Sequence, residues 1–271
     1  MPDTCATLVG LGAIGCPLAL LLAPVPEVVR LTLIDFDRFT AGNRALGLER
    51  ADVGQYKARA VASKVRRIRR DLKVEAVVAR AEHVPFGDLR GMVICCGDNR
   101  PVRSTCSEAA FRGGADALID AGVRRDHLLA RATIYFPQIP GAACHLCGWG
   151  KADWDAYAAS YTCQGSVGVP ATGSPMYLTA LAAALAAQLC CDYLRGDAKP
   201  QADARQLVYS AEVHRAWETA IRRNPACHFD HGQWIVTRVG INPARYTLGE
   251  ALEELGGPLA VPGLAFARRL R

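Results

Sequence analysis

A chain of 271 residues with 51% hydrophobic and 21% charged residues has enough apolar material for one large folded unit, which excludes a disordered or low-complexity polypeptide. The net charge of +6 is modest, and its densest run, Arg66-Arg67-Ile68-Arg69-Arg70, has no interleaved aromatics, so a solvated helix face is expected there and no nucleic acid partner. Eleven cysteines would suit a disulfide scaffold in a short secreted chain, but Cys95-Cys96 and Cys190-Cys191 lie in apolar runs where reduced thiols are expected.

In chain order, residues 6–10 read as a buried strand and Gly10-Leu11-Gly12-Ala13-Ile14-Gly15 as a glycine loop, followed by a short helix over Cys16 to Leu22. No basic-then-apolar signal peptide precedes that loop, so a cytoplasmic protein is expected. Leu31 to Ile34 form a second strand ending in Asp35-Phe36-Asp37. Val53 to Arg70 carry helical spacing, and Val74 to Val78 and Gly91 to Cys96 are strands, the latter running into Gly97-Asp98-Asn99. A helix over Ser104 to Arg112 and a strand over Ala117 to Ala121 complete an alternation that implies a doubly wound, mainly parallel sheet.

The pattern then changes. Ala132 to Phe136 read as a strand leading to Cys144-His145-Leu146-Cys147, and residues 148–173 show no clear periodicity and read as a loop. Ser174 is placed to cap a helix with Pro175 in its first turn, running to about Leu194; its alanines, Thr179 and Gln188 favour a buried or interface helix over a membrane span. Gln206 to Glu212 read as a strand and Ala216 to Ile221 are ambiguous. Trp234 to Val239 read as a strand and Leu248 to Leu255 as a short helix.

A glycine loop after a strand lets backbone N–H groups approach phosphates closely, and Asp35, twenty residues past Gly15, is placed to accept from ribose hydroxyls. Both features suit NAD as well as ATP. Asp98, on the loop after the fourth strand, suits Mg2+ through oxygen ligands, Lys57 at the head of a helix can face phosphates, and Arg44 or Arg50 can offset charge on a transferring phosphoryl group. Cys144, Cys147, Cys227 and His231 have spacings that close a four-ligand structural Zn2+ site, with His228 the competing imidazole and metal binding worth on the order of 10 kcal/mol to local folding. Cys163 stands among polar residues and glycines and is the best candidate nucleophile.

In their order, Val-Gly-Leu-Gly-Ala-Ile-Gly-Cys, Leu-Ile-Asp-Phe-Asp, Asn43, Val-Gly-Gln-Tyr-Lys57, Cys-Gly-Asp98-Asn99, Cys-His-Leu-Cys, Thr-Cys163 and Asn224-Pro225-Ala226-Cys227 resemble the ThiF/MoeB-type adenylyltransferases of the ubiquitin-activating enzyme superfamily. The resemblance spans about residues 5–231. It implies a Rossmann-like sheet with a zinc-stapled C-terminal half over residues 1–231, a crossover loop at about 148–173, and a C-terminal extension, 232–271, that could dock a partner. It implies ATP-dependent adenylation of the C-terminal carboxylate of a ubiquitin-like protein by a homodimer. In that reading Gly10, Gly12, Gly15, Asp37 and Asn99 line the nucleotide site, Asp35 holds the ribose, and Asn43 and Lys57 contact phosphates. Asp98 holds Mg2+, Arg44 stabilises the transition state, and Cys163 receives the activated carboxyl. The motif departs in its Asn43-Arg44 spacing, with Arg50 the alternate, and in a Cys-x-x-x-His second metal half. A bacterial conjugation pathway with a conjugating enzyme is favoured by the extension. Sulfur-carrier activation for molybdopterin or thiamine, an NAD-dependent oxidoreductase and a non-catalytic scaffold are the alternatives.

Overall fold

Continuous aliphatic sequence makes Thr4–Val9 the first strand, β1, with residues 6–9 all buried. Unbroken burial, rather than alternation, marks a strand covered by helices on both faces. The computed structural model describes residues 4–43, 45–162, 165–166, 173–233, 247 and 250. After β1 come α1 (Gly15–Leu22), β2 (Val28–Ile34), α2 (Lys57–Ile68), β3 (Lys73–Val77), β4 (Met92–Cys95), α3 (Arg100–Gly113) and β5 (Ala117–Arg124). These five strands pair in parallel in the order β3-β2-β1-β4-β5. The chain winds outward from β1 to β3 and restarts at β4 on the other side of β1, which opens a crevice at the carboxyl ends of β1 and β4.

Beyond β5 the sheet turns antiparallel. β6 (Leu129–Tyr135), β9 (Ala204–Ser210) and β10 (Arg215–Ile221) extend it to eight strands in the order β10-β9-β6-β5-β4-β1-β2-β3. Between β6 and β9 lie α4 (Lys151–Ala159), the two-stranded ribbon of β7 (Tyr161–Thr162) and β8 (Gly165–Ser166), and α5 (Met176–Arg195). The Rossmann-like, mainly parallel sheet expected from the sequence is the observed one. α5 is long and apolar enough to cross a membrane by length and composition. Here it lies on the sheet beside α1, with Leu178, Ala182, Ala183, Ala186, Leu189 and Cys190 buried, its alanines allowing close approach.

Local differences from the sequence reading have identifiable causes. The helix expected from Val53 begins only at Lys57, because Gly54 has φ +88° and its N–H, with the carbonyl of Gln55, bonds the backbone of Phe39 at 2.7 and 2.9 Å. α3 starts four residues earlier than expected, since Asn99 Oδ1 accepts the Val102 N–H at 3.0 Å and Pro101 occupies the first turn. The stretch 148–173, read as a loop, contains α4, which has no wholly buried residue and hence no apolar period to reveal it. Pro175, not Ser174, takes the cap position of α5, and Gly196 at φ +79° ends that helix. The ambiguous stretch before Ile221 is β10, paired along its length with β9. The strand and helix read at 234–239 and 248–255 lie outside the described residues.

Candidate functional site

The crevice between β1 and β4 is closed at its base by two loops in contact. Gly10 has φ +86°, and a Cβ there would stand 2.9 Å from the Gly97 nitrogen, so this position requires glycine both for its conformation and for the approach of the loop after β4. At Gly15 an added Cβ would lie 1.9 Å from the Gly10 carbonyl oxygen. Gly12 is different: nothing stands within 4 Å of its Cβ direction, so the crest of the loop faces open space where a phosphate can approach the backbone.

Asp35 ends β2 and braces this loop. Its Oδ2 accepts the Leu11 N–H at 2.7 Å and its Oδ1 accepts the Asp37 N–H at 2.8 Å. Burial raises its pKa, and the nearby Lys57 ammonium pulls it back. Each oxygen keeps a lone pair for a further donor such as a ribose hydroxyl. Lys57, at the start of α2, places Nζ 2.9 Å from Asp37 Oδ2, so its charge is held at the edge of the crevice by a half-exposed carboxylate. Asn43 Oδ1 accepts the Thr40 N–H at 2.7 Å and thereby shapes its own turn. Arg44 lies outside the described residues; Arg50, the alternate, is exposed on the short turn Arg50–Asp52. Asp98 is exposed beyond β4, and among the described contacts its carboxylate meets the Asn99 amide at 3.5 Å. Its second oxygen is therefore open to a cation, a fit for Mg2+ with phosphate and water completing the shell. Asn99, expected at the nucleotide, carries the cap of α3.

The metal-ligand expectation is met in geometry. Cys144 Sγ lies 3.7 Å from Cys147 Sγ, 3.8 Å from Cys227 Sγ and 3.7 Å from His231 Nε2, and Cys147 Sγ lies 3.5 Å from His231 Nε2. Zinc–sulfur bonds of about 2.3 Å and zinc–nitrogen bonds of about 2.0 Å give tetrahedron edges of about 3.8 Å between sulfurs and about 3.5 Å from sulfur to nitrogen. All four donor atoms lie within 4.8 Å of one another, so the set fits a closed zinc site. The Nδ1 of His231 lies 3.1 Å from the Ala142 carbonyl, which selects the tautomer that leaves Nε2 free for a metal. Hydrogen bonding from the Cys144 thiol lowers the pKa of Cys147 to about 5 and of Cys227 to about 6, giving two of the three sulfurs the thiolate form a metal needs. His228 is not in the cluster; it stacks on Trp154 with ring centroids 4.2 Å apart.

Cys163 lies outside the described residues. One group the sequence reading passed over is buried beside the crevice. Asp120, on β5 and paired in register with Cys95, forms an ion pair with Arg103 of α3, whose Nη2 also donates to the Ala121 carbonyl at 3.0 Å. His145 and Tyr135 complete the cluster, with Tyr135 Oη 3.4 Å from His145 Nδ1 and that nitrogen 3.7 Å from Asp120. Burial alone would raise the Asp120 pKa, but the Arg103 guanidinium reverses this and holds it below the usual carboxylate range. The signal was a lone carboxylate inside an apolar strand, which is tolerated only when paired. Arg103→Met is expected to leave Asp120 charged and buried and to destabilise the fold by about 3–5 kcal/mol in urea unfolding. Because the native pKa is depressed, the pair's contribution is present above the unfolded pKa and lost as pH falls through the lower native value.

With this geometry in hand, comparisons place the chain among known proteins. The ThiF family profile matches residues 3–229. The adenylyltransferase and sulfurtransferase MOCS3 of Mus musculus is 33% identical over 146 residues, 51% of this chain and 30% of the mouse protein. The crystal structure of E. coli MccB with ATP superposes with a TM-score of 0.63 at 18% identity, covering 83% of this chain and 66% of that one. That of PaaA superposes with a TM-score of 0.60 at 19% identity, covering 82% and 65%. The chain thus spans under a third of the mouse relative's length and about two thirds of these solved chains, which at such identities share its fold.

Proposed function

This chain belongs to the ThiF family, and from that premise we propose that it is an ATP-dependent adenylyltransferase acting on the C-terminal carboxylate of a ubiquitin-like protein. The observation that carries the reading is the pairing, across one crevice, of an open-crested glycine loop with the exposed Asp98 carboxylate. A hydride-transfer enzyme needs the first feature but not the second. A carboxylate oxygen of the partner attacks the α-phosphorus of ATP, the bond to the bridging oxygen breaks, and pyrophosphate leaves an acyl-adenylate. Mg2+, held by Asp98, would screen the phosphate charge. Asp35 orients the ribose, and Lys57, poised on Asp37, and Asn43 face the phosphates. Arg44, or Arg50 in its place, offsets the charge that develops at phosphorus. The Cys163 thiolate then attacks the acyl carbon and AMP departs.

The antiparallel half of the sheet supports a polypeptide partner. In register across β6, β9 and β10, Arg131, Val208 and Trp217 form one row and Thr133, Gln206 and Thr219 the next, on the face away from α5. Trp217 is 44% exposed, which leaves a large aromatic available as a docking anchor. Leu21 of α1 and Met176 and Tyr177 at the start of α5 are exposed apolar side chains, and a second copy of the chain is proposed to cover part of this surface. The downstream pathway is conjugation through a conjugating enzyme docked on residues 232–271, with sulfur-carrier activation for molybdopterin or thiamine as the second reading. A zinc held by Cys144, Cys147, Cys227 and His231 would be structural, since four protein ligands would leave no open position.

ATP:pyrophosphate exchange with purified candidate ubiquitin-like proteins tests the reading. Labelled pyrophosphate is expected to enter ATP only when the matching partner is present and its C-terminal carboxylate is free. Binding of a partner with no exchange under any condition would instead identify a non-catalytic scaffold.

A further inference from the structure

Arg131 carries a charge for which the fold supplies no counter-ion. It lies on β6 and faces away from α5, in register with Gly122 of β5 on one side and Val208 of β9 on the other. Gly122 has no side chain to offer, and Val208 is buried and aliphatic. Thr133, two residues along the same face, accepts from Gln206 Nε2 at 2.8 Å. Two carboxylates feel the Arg131 charge, and each has an arginine of its own: Asp120 is paired with Arg103, and Asp153 Oδ1 accepts from Arg100 Nη2 at 2.7 Å. Burial pushes both carboxyls up, their own arginines reverse this, and Arg131 adds to the lowering. Three guanidinium groups therefore stand with two carboxylates, and among the described contacts Arg131 makes no hydrogen bond or ion pair. Half-buried, it is partly stripped of water and gains most from a charged acceptor that completes its hydrogen bonds.

Its surroundings define that acceptor. Asp120 is in register with Cys95, the last residue of β4, so the Gly122–Arg131 pair lies two residues beyond the carboxyl end of that strand, where the crevice opens. From there the row crosses buried Val208 to Trp217, 44% exposed on β10 at the end of the described sheet. A nucleic acid backbone needs cations repeated along its length, whereas this row sets one guanidinium beside aliphatic and indole surface. It fits an extended polypeptide that places a carboxylate side chain next to apolar ones. We propose that Arg131 selects the partner by pairing with an Asp or Glu side chain of a segment laid over Arg131, Val208 and Trp217. That this segment belongs to the protein being adenylated rests on the function proposed above; the demand for an acidic side chain does not. Arg131 meets the partner away from the reacting atoms, so it sets affinity and leaves the chemical step unchanged.

Peptide selection on the full chain tests the demand. A pool of random ten-residue peptides with amidated C-termini, so that side chains supply the only carboxylates, is passed over immobilised protein without ATP, and the retained peptides are sequenced. Asp and Glu are expected to be enriched in the wild type, to lose that enrichment in Arg131→Ala and Arg131→Gln, and to keep part of it in Arg131→Lys. Because Arg131 has no partner in the fold, the urea midpoints of these variants should match that of the wild type. No acidic enrichment, or the same enrichment without the guanidinium, would overturn the proposal. So would single-stranded DNA held more tightly than the peptides through Arg131, or a loss of ATP binding in Arg131→Ala, since either would assign the group to phosphate. With a partner that supports pyrophosphate exchange, Arg131→Ala is expected to raise the partner's KM about tenfold or more with kcat within about twofold. Arg131→Glu should be rescued by Lys at the partner's acidic position. A fall in kcat at unchanged KM would overturn the assignment. Acidic selection by a chain that exchanges pyrophosphate with no partner would sustain it and count only against adenylation.

Discussion

Asp98→Ala is expected to lose ATP:pyrophosphate exchange by about 10²–10³-fold or more while its urea midpoint stays close to that of the wild type. The side chain is exposed and its carboxylate meets only the Asn99 amide at 3.5 Å among the described contacts, so little packing depends on it. Its neighbour makes the contrast. Asn99→Ala removes the acceptor of the Val102 N–H and should cost about 1 kcal/mol of stability, with a smaller effect on exchange. Two adjacent residues thus separate chemistry from folding. Cys163→Ala should retain exchange and lose only the later adduct, because in the proposed sequence adenylation precedes attack by the thiol. Wild-type exchange in Asp98→Ala would remove this carboxylate from the reaction. Equal loss in Asp98→Ala and Cys163→Ala would mean that the thiol takes part in, or holds together, the adenylation site itself.

The parallel half of the sheet was legible in the sequence because its strands are short, apolar and punctuated by residues with a single structural meaning. Gly10 stands where φ is +86° and a backbone neighbour leaves no room for a Cβ; Asp35 and Asp98 stand at carboxyl ends of strands. The cluster of Cys144, Cys147, Cys227 and His231 was legible because thiol and imidazole donors in two closely spaced pairs have few other uses. Helix starts were less so: Asn99 and Pro101 carry a start signal for α3, but the apolar period it precedes becomes visible only from Ser104. α4 was hidden since it is held by an ion pair to Arg100 of α3 and by the rings of Trp149 and His228 rather than by an apolar stripe. The Arg103–Asp120 pair joins residues 17 apart on different elements, and only the fold brings them together. The same holds for the choice between His228 and His231. Spacing allows either, and the backbone decides: His231 takes a left-handed conformation at φ +59° that aims Nε2 at the sulfurs, while His228 turns to Trp154.

Purified protein is expected to carry about one zinc per chain, and its removal should cost on the order of 10 kcal/mol of local folding energy. The cluster joins the turn at His145–Gly148 to the turn that ends at His231, more than eighty residues on, closing a long loop in the unfolded chain. Around it Phe111 packs edge-on against both Phe229 and His231, and Phe229 is buried, so opening the turn exposes core as well as ligands. Without metal, three sulfurs within 4.8 Å of one another must share protons or repel, and nothing replaces the bonds that offset their approach. Cys147→Ser should therefore lose the zinc by elemental analysis and lower Tm by more than about 10 °C. His228→Ala should keep both zinc and Tm while changing the fluorescence of Trp154, its stacking partner. Loss of zinc in His228→Ala, with retention in a His231→Ala protein, would reassign the fourth ligand. A metal-free protein with an unchanged Tm would show that the four donors are packed by the fold alone. Chelation is also expected to free Trp154 from His228, so zinc removal should loosen α4 along with the turn that ends at His231 and raise exchange in both segments together.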